Sequence, residues 1–138
     1  MATQRGLQWL LAGLMGLPLM ASAAGLDPAA LRQAQTAAAH AGMALGAPTL
    51  AKVHMHLHHV LNCLVGPGGA GFDAKALDPC KGMGHGAIRD AAGNPAAEAL
   101  LHQAAAEAMR GERARTLAAA HADAKQVLAT LQRVGGGP

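Results

Sequence analysis

Between residues 50 and 65 apolar side chains recur at Leu50, Val53, Leu57, Val60, Leu61 and Leu64, the spacing of one face of an α-helix. This is the most regular stripe in the chain, and it dictates the fold class. A helix with an apolar seam must bury it against other elements, and the other periodic segments here are helical too. Asp27-Pro28 is an N-cap followed by proline at the first helical position. It opens a helix over about 28–45, with Leu31, Ala34, Ala38, Ala41 and Leu45 facing inward. Gly46-Ala47-Pro48-Thr49 breaks it, and the striped helix follows over about 48–65, stopped by Gly66-Pro67-Gly68-Gly69. Asn94-Pro95 repeats the start signal for a helix over 95–110, with Ala97, Leu101, Ala104 and Ala108 inward. Gly111 marks a turn, and a last helix over 112–134 buries Leu117, Ala120, Ala124, Val127, Leu128 and Leu131. Two short-looped helical pairs joined by one long connection predict an all-α four-helix bundle. The many alanines permit close packing but contribute little burial each. AAAHA recurs at 37–41 and 118–122, a weak sign of duplicated helix pairs.

The connection, residues 66–94, is Gly-rich and aperiodic. A loop of that length inside a compact domain needs a staple. Cys63, in the last turn of the second helix, and Cys80, in mid-loop, are the two cysteines of the chain, and they read as a disulfide. Such a bridge is worth roughly 3 kcal/mol in the chain-entropy model.

Residues 1–23 read as a cleavable signal peptide. Arg5 supplies the positive start, Leu7 to Met20 the apolar run, and Ala21-Ser22-Ala23 the small residues before a cut at Ala24; a cut one residue later fits almost as well. The run is shorter than the ~20 residues of a spanning helix. The expectation is a single mature domain, 24–138, in the periplasm. Losing Arg5 lowers the formal charge of +3 by one, so nothing suggests a binder of nucleic acid or of membrane surfaces. Trp9 lies in the signal segment, tyrosine is absent, and Phe72 is the remaining aromatic apart from histidine, so base stacking has no platform.

Composition also excludes chemistry. Ser22 is the only serine and sits at the cleavage site, so the mature chain has no serine nucleophile. The carboxylates are few and scattered, against a glycosidase, and no GxxxxGK[ST] or GxGxxG supports nucleotide binding. No nucleophile and base pair can be named, and no enzymatic activity is expected.

Histidine is in excess: eight residues, all beyond the signal segment. On a helical wheel the run KVHMHLHH splits into two faces. His54 and His58 flank one side of the seam as an i, i+4 pair that can share one metal ion. His56, His59 and Cys63 flank the other side. His121 lies at the seam edge of the last helix, His102 on a flank of the third, His40 on the outer face of the first, and His85 in the loop. A lone helical histidine is more often a solvated or core-edge residue than a ligand. Four in six positions of one helix are different, because histidine is a mediocre helix former. Imidazole with nearby thioether, here from Met43, Met55, Met83 and Met109, suits Cu, Ni or Zn; a single methionine is more often packing. The expected site is His54 and His58, completed by His121 or His102, with His56 and His59 as a second, more exposed site.

In architecture and histidine content the chain resembles small periplasmic His-rich metal-binding proteins built as four-helix bundles, although no position-specific motif is shared. Its segment HLHHVLNCLVGPGGAGFDAKALDPCKGMGHGA is similar to a block in small exported bacterial His-rich helical proteins, a likeness that implies no activity. The ligand types and the exported compartment suit sequestration or trafficking of a transition metal. Two alternatives stand beside it. One is a b-type haem held in the bundle by a His and a Met or His from different helices, with His102 and Met109 as candidates; CxxCH is absent, so covalent c-type haem is excluded. The other is a cofactor-free module whose stapled loop contacts a partner protein, with Phe72 as the anchor.

Overall fold

The computed structural model describes residues 25–136, so the expected signal segment lies outside them. Among the described residues there are five helices and no strand: α1 (Pro28–Gly46), α2 (Leu50–Val65), α3 (Ala87–Asp90), α4 (Pro95–Glu112) and α5 (Leu117–Val134). Each long helix opens on a side-chain cap. Asp27 accepts from the Ala29 N–H, Thr49 from Lys52, Asn94 from Ala97 and Thr116 from Ala119. Each cap satisfies a backbone donor that the helix itself leaves open. Thr49 explains why α2 starts after Pro48 rather than at it.

The long helices pack in a cycle. α1 lies against α2 and α5, and α4 lies against α5 and α2. The α2 stripe is buried as expected at Val53, Leu57, Val60, Leu61 and Leu64, with Leu50 half-buried. Leu57, Leu61, Leu64 and Leu101 are the largest fully buried apolar side chains, each contributing about 1.5–3 kcal/mol by burial. On α1 the buried face is Ala30, Ala34, Ala37, Ala41 and Ala44. It is turned from the expected stripe, so that Ala38 and Leu45 sit at its edge and Leu31 is half-buried. Alanine lets α1 approach both neighbours closely, and the larger leucines fill the margins.

Gly111 is not a turn. It is buried within α4, where a Cβ would come within 2.6 Å of Leu57 Cδ1 and 3.1 Å of Asp123 Cβ. Its missing side chain serves the contact of α4 with α2 and α5. The chain turns later, at 113–116, and α5 begins at Leu117 rather than near Glu112.

Residues 66–94 are not one featureless connection. They hold a series of turns and the single-turn helix α3. The disulfide Cys63–Cys80 is formed, with both residues buried. Two buried amides add to it. Asn62 on α2 donates to the Asp73 and Leu77 carbonyls at 3.0 and 3.1 Å and accepts from the Asp73 N–H at 2.9 Å. Gln33 on α1 donates to Asp90 Oδ2 at 2.7 Å and accepts from the Gly86 N–H at 2.9 Å. Asp90 also accepts from the His85 N–H, and these donated hydrogen bonds hold its carboxyl below the usual range against the opposing effect of burial.

Candidate metal centre

The hairpin of α1 and α2 decides which histidines meet. His40 stands six residues before the end of α1 at Gly46, and His56 six residues after the start of α2 at Leu50. Equal spacing from one tight turn puts the two at the same height. His59 is close to one helical turn beyond His56 and shares its face. The three Nδ1 atoms converge: His40 Nδ1 lies 3.4 Å from His56 Nδ1 and 3.3 Å from His59 Nδ1. A ligand atom from each of the three falls within 4.8 Å of the others. The His59 ring stands edge-on to both partners, with centroids 4.9 Å from His40 and 5.7 Å from His56.

Three imidazoles this close cannot all be charged. Burial, then repulsion from His59 and His56, holds His40 below the usual histidine range. Burial and Lys52 lower His56; burial, His56 and His58 lower His59. Neutral imidazole carries one N–H and one lone pair. A lone pair facing another lone pair at 3.3–3.4 Å is repulsive unless a proton or a cation lies between them. Four nitrogen ligands at 2.0–2.1 Å around a tetrahedral ion stand about 3.3–3.4 Å apart. Two sides of the histidine triangle already have that length.

The other expected ligands are placed elsewhere. His54 donates through Nε2 to the Ala114 carbonyl at 3.1 Å, tying α2 to the α4–α5 connection. His121 donates through Nε2 to the Ala47 carbonyl at 2.9 Å, tying α5 to the α1–α2 turn. His58 Nδ1 lies 2.7 Å from Glu112 Oε1, and burial pushes that carboxyl up to about 7. His54, His58 and His121 thus each have a separate partner. His102 is exposed on α4 and borders a cavity with Met109 and His85. His102 and Met109 share one helix, which does not provide the different helices that the haem reading asks for. Cys63 is in the disulfide and is not a thiolate ligand.

His56 and His59 therefore belong to the convergent group, and the residue that sequence reasoning missed is His40. It is half-buried against α2 rather than on an outer face. Its distance from the hairpin turn, matched to that of His56, was the available signal. A groove of about 390 Å³ bounded by Thr36, His40 and Met83 borders the cluster at His40, and another of about 720 Å³, lined by His54, Met55, His58 and Leu77, touches it only at the buried His59. Met83 accepts a long hydrogen bond from Thr36 Oγ1, while Met43 and Met55 are exposed. Phe72, the expected loop anchor, is half-buried, and Leu77 is the more exposed apolar side chain of that segment. No helix among the described residues is long and apolar enough to cross a membrane. Comparison of the chain with protein-family models, curated proteins and solved structures gave no match.

Proposed function

We propose that this chain is an exported, periplasmic four-helix-bundle protein that binds one transition-metal ion through His40, His56 and His59 for sequestration or transfer, without catalysis. The observation that carries the reading is the convergence of three Nδ1 atoms at 3.3 and 3.4 Å. Three imidazoles suit Cu, Ni or Zn, and the lowered proton affinity of all three reduces competition between proton and ion. Three protein ligands leave a fourth position open, and the half-exposure of His40 and His56 gives that position access to a second carrier. An ion that must be handed on needs both features. The disulfide fits an oxidising compartment, which supports export.

Calorimetric titration with Cu(II), Ni(II) and Zn(II) tests this. Wild type is expected to take up one ion, with Cu(II) the tightest of the three. His40→Ala/His59→Ala loses at least about a hundredfold in affinity, while His54→Ala/His58→Ala retains it. Loss in the second variant with retention in the first returns the site to the i, i+4 pair. No binding to wild type removes the function.

A further inference from the structure

A separate cavity lies at the C-terminal end of α2. There the end of α2, the Gly-rich turn after it, α3 and α4 enclose a cavity of about 570 Å³, within the range of small-molecule pockets. Its body is apolar, with Val65, Ile88, Ala105 and Met109 in the wall. Its polar side chains are Arg89, His85 and His102, and no carboxylate lines it. Arg89 is exposed and has no ion-pair partner among the described residues. The Asp90 carboxylate beside it is already taken by Gln33 and by the His85 N–H and Nδ1, which leaves His85 Nε2 available.

The wall is preformed. Gly66 has φ 67° and Gly86 φ 109°, backbone that favours glycine. The two segments cross so closely that a Cβ on Gly66 would overlap the His85 carbonyl, and one on Gly86 would come within 2.6 Å of the Val65 carbonyl. The disulfide and Gln33 hold the same crossing from behind. An apolar pocket of fixed shape with an unpaired guanidinium at its mouth calls for a ligand with an apolar body and one anionic end.

The geometry points to a binding site for a small organic monocarboxylate with an aliphatic chain, the chain against Ile88, Ala105 and Met109 and the carboxylate on Arg89, with His102 and His85 Nε2 within the same lining. This site shares no residue with the histidine triad, so it stands or falls independently of metal binding.

The probe is decanoate, titrated into the full chain by calorimetry and followed by amide NMR shifts. Decyltrimethylammonium, which carries the same alkyl chain and the opposite charge, serves as the control. Decanoate is expected to saturate one site per chain, with shifts centred on Ile88, Arg89 and Ala105, and to bind at least tenfold tighter than the cation. Arg89→Gln lowers decanoate affinity about tenfold, and Ala70→Trp, a substitution at an exposed residue of the lining, blocks binding while leaving the helical circular dichroism unchanged. Equal affinity for the two probes, shifts centred elsewhere, or no saturation at millimolar decanoate overturns the proposal.

Discussion

Replacing both cysteines, Cys63→Ala/Cys80→Ala, isolates what the staple does for the segment between α2 and α4. The bridge spans a sequence separation of 17, for which loop-closure entropy in the unfolded chain gives about 3 kcal/mol. Cys63 is 0% and Cys80 3% exposed, so deleting two buried sulfurs adds about 1 kcal/mol of lost packing. The expected total is about 4 kcal/mol. In a domain of this size that lowers the thermal midpoint by roughly 10–20 °C. Asn62 and Gln33 still hold the segment through their own hydrogen bonds, so the folded structure at low temperature is expected to survive. The assay is a circular dichroism melt at 222 nm with urea unfolding on wild type, reduced wild type and the double variant. Reduced wild type should lose about 3 kcal/mol, the chain-entropy part alone. A loss below about 1 kcal/mol in the double variant would refute the reasoning, because it would mean that the bridge restrains nothing that the amides do not already hold.

Gly66→Ala should cost more than 2 kcal/mol in urea unfolding, because its φ of 67° and the His85 carbonyl leave no room for a Cβ; a neutral result contradicts the crossing described. Gly111→Val sets a helix-propensity gain of about 0.4 kcal/mol against overpacking of about 1–3 kcal/mol on Leu57 and Asp123, so a net loss of about 1–2 kcal/mol is expected in the same assay. The histidine cluster makes the metal-free protein lose stability on acidification. The folded pKa values of His40, His56 and His59 lie below 6.5, so the unfolded chain binds more protons once pH drops through 6.5. Glu112 acts in the opposite sense: its carboxyl is raised from 4.5 to about 7, so its contribution is present below 4.5 and is lost as pH rises to 7. Relative to wild type, melts between pH 7.5 and 5 should therefore show the stability change on acidification moved toward loss in Glu112→Gln and toward gain in His40→Gln/His59→Gln; the reverse order contradicts the shifts.

The caps and the α2 stripe were legible because they act locally. Asp27-Pro28 and Asn94-Pro95 mark the starts of α1 and α4 in sequence and in structure alike, and the cysteine pair read as a bridge from compartment and count alone. Gly111 was misread because a glycine that ends a helix and one that lets two helices touch look the same without the neighbours. The buried face of α1 was misjudged because, in an alanine-rich helix, side-chain size says little about which way the helix turns. The histidine cluster was half visible. The wheel correctly grouped His56 with His59 on one face of α2, but a wheel describes one helix and cannot supply a ligand from another. His40 arrives through the geometry of the hairpin, whereas the i, i+4 pair His54 and His58 is drawn to Ala114 and Glu112.

The most direct test of the central claim is an imidazole ¹⁵N NMR titration of histidine-labelled protein with Zn(II). The account predicts saturation at one equivalent, with the Nδ1 resonances of His40, His56 and His59 moving together to metal-bound values while those of His54, His58, His102 and His121 stay in place. Movement confined to His54, His58 or His121, or no saturable change at any histidine, would contradict it.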